Sequence, residues 1–370
     1  MRFRSERDAL VDLLSTAGRA VGTRSAAAVV LSGVMLSCEQ NRLIATGTDL
    51  DLTIRIEEEV IGIQDGACVV PARLASDVVR SLEAGAVTVE AKEDRVEITA
   101  GRSRFSLRNF PVVEFPSLAD TPGGGHLLGA ELASGLRQVV RAASNDDARP
   151  LLTGVLMTTE DDVIRLVATD SYRLALRDLR ETKAPSDLRE VLIPARALAE
   201  LQRLPALAST SKADVEVHMS VGANEVAFMV GSVEIRTRLL EGAYPDYRQL
   251  IPDDYPNRLH LGKESILGAL RRVRLLVRDS TTPVRMSMRP GGVDLSVTSQ
   301  DVGDATETVD GDFTGEDLVI AFNPSYLIDG IDAVDGDEVV IETADPGRPA
   351  TVRAAEQDYY RYLLMPVRVS

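Results

Sequence analysis

Few side chains in this sequence have the types and spacing that catalysis or metal binding requires. The acidic pairs Asp49/Asp51 and Asp253/Asp254 could bind a cation, but paired acids in turns are usually solvated or act as caps. The histidines do not have the spacing of metal ligands. They are His126, His218 and His260.

Phosphate-binding and nucleophile motifs are also missing from the sequence. It contains no glycine-rich P-loop and no nucleophile elbow. We therefore predict a protein that is not an enzyme, with no cofactor and no bound metal. A metal-dependent hydrolase is kept as the less favoured alternative.

The charge of the chain is unevenly distributed. A net charge of −16 argues against phosphate binding, which needs Lys and Arg. Taken together, five of the six predicted helical regions nevertheless carry a small net positive charge. The excess of Asp and Glu lies in the rest of the chain, including the sixth helix, which begins at Pro324. A helix-lined surface could then attract a polyanion weakly, although arginines on ordinary solvated faces explain the pattern about as well. The five regions are residues 5–21, 71–83, 128–149, 194–203 and 261–278.

The two cysteines and the N-terminus bear on the compartment. Cys38 and Cys68 lie far apart in apolar surroundings, which favours buried thiols in a reducing cytosol. The N-terminus has no apolar signal region, and the longest apolar stretch, residues 26–36, is too short to span a bilayer. We predict a cytoplasmic protein with no membrane partner.

A proline-centred pattern occurs three times along the chain. It reads VVPARL at 69–74, LIPARA at 192–197 and, more weakly, AFNPSY at 321–326. Each proline precedes a run with helical apolar spacing, where its missing N–H is harmless. A second proline marker closes each copy, and its three forms are EFPSL at 114–118, AYPDY at 243–247 and LMPV at 364–367.

Each copy also opens with an amphipathic helix and continues with alternating, strand-like runs. The opening helices are predicted at 5–21, 128–144 and 261–278. Two helices on an antiparallel sheet make an α+β domain. We predict three such domains, at residues 1–122, 123–253 and 254–370.

Several motifs resemble those of one known family, the beta subunit of bacterial DNA polymerase III, or sliding clamp. The resemblance covers the whole chain in order. It rests on the VVPAR run and on GRSRFSL at 101–107, ATDSYRL at 168–174, YPDYR at 244–248 and YLLMPVR at 362–368.

The resemblance implies a head-to-tail homodimeric ring of clamp domains, with the helices lining a pore that encircles double-stranded DNA. A clamp loader would open the ring using ATP, and the clamp itself would bind no nucleotide. The implied partners are the polymerase III alpha subunit, translesion polymerases, ligase and mismatch-repair proteins, each docking a short peptide.

The resemblance also implies a peptide pocket of three walls, an apolar trough suited to aliphatic or aromatic anchors. Gln249 stands where some relatives have Arg. The first wall comprises Leu152, Thr169, Ser171, Tyr172, Arg173 and Leu174; the second comprises Pro245, Gln249 and Leu250; the C-terminal wall comprises Leu363, Leu364, Met365, Pro366, Val367 and Arg368.

Two further surfaces are expected. Arg24 and Arg73 match family residues that face DNA, and helix position adds Arg19, Arg137, Arg141, Arg196, Arg203, Arg271 and Arg272. At the dimer seam we expect a small apolar core of Phe105, Leu275 and Leu276. Across that seam, Arg102 and Arg104 would face an acidic run of Asp301, Asp304 and Glu307. Leu275 and Leu276 could instead be core of their own domain, and a repair-specific clamp paralogue stays open as an alternative function.

Overall fold

The structure is a computed structural model that describes residues 1–22, 29–117, 124–185, 188–208, 215–252, 254–278, 282–299 and 301–368. The chain forms two compact units. The first comprises Met1–Gly129, Pro185–Asp187 and Arg203–Leu239, and the second comprises Ala130–Ala184, Leu188–Gln202 and Leu240–Ser370. No helix within the described residues is long and apolar enough to cross a membrane.

The helices are short and widely separated along the chain. Those of the described residues are α1 (Arg7–Ala17), α2 (Ala72–Ser81), α3 (Gly129–Val139), α4 (Ala195–Gln202), α5 (Pro205–Ala208), α6 (Lys263–Val273) and α7 (Pro324–Asp332). Short 3₁₀ turns at Gly18–Ala20, Val140–Ala142 and Arg274–Leu276 extend the opening helix of each repeat.

Strands make up most of the remaining structure. They are β1 (Arg2–Glu6), β2 (Gly33–Glu39), β3 (Arg42–Thr48), β4 (Leu52–Glu59), β5 (Ile61–Gln64), β6 (Gly66–Pro71), β7 (Ala86–Ala91), β8 (Arg95–Ala100), β9 (Ser103–Arg108), β10 (Gly125–Leu128), β11 (Gly154–Glu160), β12 (Val163–Thr169), β13 (Arg173–Leu179), β14 (Val191–Pro194), β15 (Glu216–Val221), β16 (Glu225–Val230), β17 (Val233–Arg238), β18 (Asn257–Gly262), β19 (Val284–Arg289), β20 (Gly292–Ser299), β21 (Gly303–Thr314), β22 (Leu318–Phe322), β23 (Glu338–Thr343), β24 (Ala350–Ala354) and β25 (Tyr360–Leu364).

Antiparallel pairing joins these strands into large sheets. The first unit holds a five-stranded sheet, β5-β1-β7-β8-β9, and an eight-stranded sheet, β10-β15-β16-β17-β4-β3-β2-β6. The second unit holds a twelve-stranded sheet, β14-β11-β12-β13-β25-β24-β23-β18-β21-β20-β19-β22. Among the described residues, two strand pairings cross repeat boundaries: β17 of the second repeat pairs with β4 of the first, and β25 of the third pairs with β13 of the second.

The helices bury one apolar face against these sheets, as their spacing predicts. In the first unit, α1 contributes Leu10, Leu13 and Leu14, and α2 contributes Val78 and Val79, to one core. In the second unit, α6 buries Ile266, Leu267, Leu270 and Val273, and α7 buries Leu327 and Ile331. The helix-on-antiparallel-sheet architecture predicted for the repeats is confirmed.

The proline markers lie where the sequence places them, at helix starts. Pro71 is the residue before α2, and Pro324 is at the first turn of α7. The Asn323 side chain accepts hydrogen bonds from the backbone N–H of Ser325 and Tyr326, so it caps α7.

The predicted starts of the opening helices are wrong by a few residues. Residues 2–6, 125–128 and 257–262 are strands, and each helix begins only after its strand. The alternating burial of β1, in which Phe3 and Ser5 are buried, and of β18, in which Leu259 and Leu261 are buried, is the period-two signal that identifies them.

Candidate functional site

The turn between β12 and β13 gives the predicted peptide pocket its shape. Ser171 adopts a φ of 80°, a left-handed conformation that is uncommon for a residue other than glycine. The Thr169 hydroxyl accepts from Ser171 N at 3.1 Å, and Asp170 Oδ1 accepts from Tyr172 N and Arg173 N at 2.9 and 3.0 Å. These bonds turn the Tyr172 side chain outward, where 59% of it is exposed.

An apolar cluster forms the floor beneath this turn. Leu174 and Leu363 are cross-strand partners on β13 and β25, and both are buried in the cluster. Leu152, predicted as a lining residue, is buried but does not belong to this cluster. Its neighbour Leu151 packs against the cluster instead. The sequence prediction also omitted other members, namely Leu156, Val167, Leu176, Leu192, Leu240, Tyr244, Tyr247 and Ile251.

The residues predicted to form the rim of the pocket are exposed and partly apolar. Met365 is 40% exposed and Leu250 is 44% exposed, and Pro245 is also exposed. The Gln249 side chain donates to Asp246 Oδ2 at 2.8 Å, which ties it to its own 3₁₀ turn. Aliphatic surface beside a few polar groups suits the docking of a peptide with apolar anchors.

The last described residues continue the sheet past β25. Met365 N donates to Tyr172 O at 2.9 Å, and Val367 N donates to Ala321 O at 2.7 Å. Pro366 is half-buried and Arg368 is exposed. The segment 365–368 is therefore held by main-chain bonds to the turn on one side and to β22 on the other.

Arg173 has a different place from the one predicted. Only 10% of its side chain is exposed, so it does not form an open wall of the pocket. Its guanidinium bonds to Asp170 Oδ2, to Asp329 Oδ2 on α7 and to the carbonyl oxygen of Arg141, and it lies 4.3 Å above the Tyr326 ring. Arg173 thus joins the turn to α7.

Leu364 also departs from its predicted role in the C-terminal wall. It is buried and pairs with Arg173, whereas Leu363 pairs with Leu174. Because successive residues of a strand point to opposite faces, Leu364 lies on the face of Arg173 and Leu363 lies on the face of the apolar floor. The sequence prediction took residues 363–368 as one continuous wall, so it could not assign Leu363 and Leu364 to different faces of β25.

Two tyrosines of the apolar cluster, Tyr244 and Tyr247, remain uncharged at neutral pH. Burial raises the pKa of Tyr244 and the pKa of Tyr247 above their ordinary values. The Tyr247 hydroxyl donates to Glu160 Oε1 at 3.3 Å. The pocket floor therefore carries no ionised tyrosine at neutral pH.

Three of the predicted DNA-facing arginines bind acidic groups on or just after α7. Arg137 lies 3.2 Å from Asp335, Arg141 lies 3.2 Å from Asp332, and Arg271 lies 3.6 Å from Asp332. The acidity of α7, which breaks the basic trend of the other helices, is thus neutralised within the chain. Arg137 and Arg141 lie nearly two hundred positions before their acidic partners in the sequence, so helix position alone gave no sign of these two pairs.

The remaining helix arginines are exposed. Arg73 is 98% exposed and has a loose i,i+4 contact of 3.9 Å with Asp77. Arg272 is bidentate to Glu307, with both distances 2.8 Å. Arg19, Arg196 and Arg203 lie on exposed positions. Arg24 lies outside the described residues.

The residues predicted for the dimer seam are at the surface of each unit. Phe105 on β9 is 37% exposed, Leu275 is 82% exposed and Leu276 is half-buried. Leu275 is therefore not core of its own domain, which removes that alternative for this residue.

Two of the predicted charges of the seam, Arg104 and Glu307, already have partners within the chain. Arg104 lies 2.6 Å from Glu97, and Glu307 is held by Arg272. Asp301 and Asp304 are exposed, as is Arg102. The pairing of Arg104 with the acidic run would have to compete with these existing contacts.

Two of the carboxylates considered as metal ligands, Asp49 and Asp254, accept backbone hydrogen bonds in their own turns. Asp49 Oδ1 accepts from Asp51 N and Leu52 N, and Asp254 Oδ1 accepts from Tyr255 N. Asp253 lies outside the described residues. Among the residues that the structure describes, no group of three or more His, Cys, Asp and Glu side chains could hold a metal ion.

The cysteines are free and buried, as predicted. Cys68 pairs with Leu36 across β2 and β6, while Cys38 pairs with Gly66, so the two thiols are not opposite each other. Burial raises the pKa of the Cys68 thiol to about 12.

Comparison with known proteins follows the three repeats. Residues 1–119, 126–246 and 248–368 match the N-terminal, central and C-terminal domain models of the DNA polymerase III beta subunit. A beta sliding clamp of Streptomyces coelicolor is 34% identical over 381 aligned positions, covering 100% of both chains. One of Staphylococcus epidermidis is 30% identical, covering 100% of this chain and 99% of the relative.

Solved structures give the same result. The DNA polymerase sliding clamp of Bacillus subtilis has a TM-score of 0.92 and 28% identity, with full coverage of both chains. The beta sliding clamp of C. crescentus has a TM-score of 0.92 and 30% identity, covering 100% of this chain and 99% of that one. Three tandem clamp domains, matched in order over the full length, show that the chain belongs to the DNA polymerase III beta subunit family.

Proposed function

We propose that the chain is a DNA sliding clamp, a non-catalytic processivity factor that encircles duplex DNA and tethers a polymerase. The observation that carries the proposal is the succession of three clamp domains at 34% identity to a beta sliding clamp over the full chain. The place of action of the clamp would be the cytoplasm.

A ring is supported by two open strand edges. β9 is the outermost strand of its sheet. In β21, residues 311–314 pair with β18, but residues 303–310 pair only with β20 in the described structure, which leaves their other edge open. Open edges readily pair with another chain. Two copies placed head to tail could each set β9 beside this part of the partner copy's β21.

The chemistry of the two edges is complementary. β9 and its turn carry Arg102, Arg104 and Arg108, whereas the start of β21 carries Asp304 and Glu307. Phe105 on β9 and Leu275 in the 3₁₀ turn Arg274–Leu276, which contacts β21, offer exposed apolar surface near these edges. A modest apolar contact with exposed, screened charges suits a seam that a clamp loader must open with ATP.

Loose contact with DNA is supported by the way charge is arranged on the helices. Arg73 makes only a loose contact with Asp77 and could reach phosphates. The helix arginines at 137, 141, 271 and 272 already bind acidic side chains, so they would contribute less. Few phosphate contacts mean weak, salt-dependent attraction. A closed ring would then retain DNA by topology rather than by affinity.

The peptide pocket supports the tethering of partners. A buried floor of Leu174 and Leu363 with an exposed rim of Tyr172, Leu250 and Met365 fits a short peptide with aliphatic or aromatic anchors. The partners would be the polymerase III alpha subunit, the clamp loader, translesion polymerases, ligase and mismatch-repair proteins.

Electron microscopy of negatively stained full-length protein tests the ring directly. We expect closed rings with a central hole for the wild-type chain, and open or single-protomer particles for Phe105→Glu, because a buried charge at the seam opposes association. Compact particles without a hole in the wild-type sample would overturn the proposal.

A further inference from the structure

The turn between β3 and β4 repeats the turn of the peptide pocket bond by bond. Leu50 has a φ of 81°, compared with 80° for Ser171. Leu50 N donates to the Thr48 hydroxyl at 3.1 Å, the same distance as in the bond from Ser171 N to the Thr169 hydroxyl. Asp49 Oδ1 accepts from Asp51 N and Leu52 N, as Asp170 Oδ1 does from the equivalent residues.

The strand beside each turn is also equivalent. β17 pairs with β4 so that Arg236 is opposite Thr53, just as Leu363 is opposite Leu174 on β25 and β13. Beyond the strand, Arg238 N donates to Asp51 O at 3.0 Å, which matches the bond from Met365 N to Tyr172 O at 2.9 Å. The backbone frame of the peptide pocket is therefore present twice in the chain.

The side chains on the second frame are polar where those of the first are apolar. Thr53 and Arg236 replace the floor pair Leu174 and Leu363, and Arg238 replaces Met365 on the rim. Asp51 stands where the peptide pocket has Tyr172. A ligand that buries an apolar anchor on this floor is excluded, because it would desolvate Arg236 and the carboxylates that bind Arg236.

A cavity of about 370 Å³ lies on this second frame, and we call it the junction cleft. Leu50, Asp51, Pro116, Arg236 and Arg238 are among its lining residues. The Arg236 side chain is 9% exposed and is neutralised by Glu234 at 2.6 Å and Glu225 at 3.6 Å. Arg236 is therefore part of the floor of the junction cleft, and its charge is already satisfied by these two carboxylates, so it has little capacity to bind another anion.

Arg238 is the cation that the junction cleft presents to solvent. It is exposed, and its guanidinium contacts no carboxylate among the described residues, unlike that of Arg236. Beside it, Leu50 is 52% exposed although its backbone has a strained, left-handed conformation. A strained, exposed leucine next to an unpaired guanidinium is an arrangement that stability alone does not favour.

We propose that the junction cleft is a second docking site, which takes an extended peptide segment carrying one carboxylate next to one aliphatic residue. The carboxylate pairs with Arg238, and the aliphatic side chain packs on Leu50 and Pro116. Asp51 on the same turn repels a second carboxylate, so one acidic residue is preferred to a run of them. The site is separate from the peptide pocket, and it does not depend on whether the chain encircles DNA.

Methyl NMR of the full-length protein tests the proposal, because a leucine lies in each pocket. The probes are acetyl-Ala-Asp-Leu-Ala-amide and the same peptide with Asn in place of Asp, titrated at low salt. We expect the Asp peptide to shift the methyl signals of Leu50 and to leave those of Leu250 unchanged. The Asn peptide should bind roughly tenfold more weakly, because it lacks the charge-assisted bond.

Two variants identify the cation. Arg238→Met copies the residue of the other pocket and should weaken the Asp peptide by roughly tenfold, to the level of the Asn peptide. Arg4→Met removes an equally exposed charge from β1 of the same unit and should leave the affinity unchanged. Equal binding of the two peptides, an unchanged affinity of Arg238→Met, or no shift of the Leu50 signals would each overturn the proposal.

Discussion

The backbone N–H of Met365 donates a 2.9 Å hydrogen bond to the carbonyl oxygen of Tyr172. This bond extends the β13–β25 pairing by one step beyond Leu364 and places two exposed side chains side by side at the pocket rim. The rim therefore depends on a short C-terminal segment that contributes little to the buried core.

Removal of residues 365–370 should abolish peptide binding without unfolding the protein. The deletion takes away the exposed Met365 and the bond from Val367 N to Ala321 O but leaves the floor pair Leu174 and Leu363. Fluorescence polarisation with a labelled peptide that has leucine and phenylalanine anchors measures the loss, and ultracentrifugation checks that the dimer persists. Unchanged peptide affinity would show that the pocket is misplaced.

Arg173→Met should destabilise the second unit strongly. It removes the cation held between Asp170 and Asp329, so the largely buried Asp170 carboxylate loses that cation, while Asp329 keeps a 3.8 Å contact with Arg141. Breaking a buried pair in this way typically costs about 3 to 5 kcal/mol. Because Asp329 is 37% exposed, we expect the lower end of that range, measured as the shift of the urea transition that reports this unit.

A matched substitution on the surface separates this effect from the loss of an arginine as such. Arg73→Met removes a side chain that is 98% exposed, with only a 3.9 Å contact to Asp77. Its effect on the free energy of unfolding should stay below about 0.5 kcal/mol. Equal losses from the two variants would contradict the anchoring role of Arg173.

Phe105→Ala should weaken the dimer while the protomer remains folded. The ring is already 37% exposed in the single chain, so its further burial would occur at the seam. Loss of that contact should cost about 2 kcal/mol per seam. Sedimentation velocity over a dilution series measures it.

The control for the seam is Ile61→Ala, which removes a side chain that is 63% exposed on β5, at the opposite edge of the same sheet. The Ile61→Ala dimer should dissociate at the same protein concentration as the wild-type dimer. If the Phe105→Ala dimer dissociates at the same protein concentration as the wild-type dimer, Phe105 does not belong to the seam.

Cys68 should make the protein less stable at alkaline pH. Burial raises the pKa of its thiol from 9.0 to about 12, so between these values the unfolded chain has lost a proton that the folded chain keeps. The free energy of unfolding from this group therefore falls as pH rises, by up to about 1.4 kcal/mol per pH unit.

The difference between the wild type and Cys68→Ala isolates this contribution from that of other titrating groups. The stability gap between the two proteins should narrow as the pH rises from 9.0 towards 12. A constant gap would mean that the Cys68 thiol titrates normally in the folded protein.

The repeat pattern and the family were accessible from sequence because both depend on local signals. The prolines at 71, 194 and 324 mark helix starts, and the apolar spacing of α1 and α6 matches their buried faces. The strands before the opening helices were missed because they are short and merge with the helical pattern that follows. The domain limits at 122/123 and 253/254 remain predictions.

The site was predicted less completely because its details depend on long-range contacts. Neither the burial of Arg173 against Asp329 nor the separation of Leu363 from Leu364 can be read from adjacent residues. The same holds for Arg137 and Arg141, whose acidic partners lie on or after α7. Which residues contact each other depends on strand register and on how elements distant in sequence pack together. A local sequence pattern does not contain that information.

Retention on DNA of different topology tests the central claim most directly. The full-length protein, loaded by a clamp loader with ATP onto nicked circular DNA, should stay bound through gel filtration in high salt, and it should be lost once that DNA is cut to a linear form. Release at the same rate from the circular and the linear DNA would contradict the account, because it would mean that contacts, not an enclosing ring, hold the DNA.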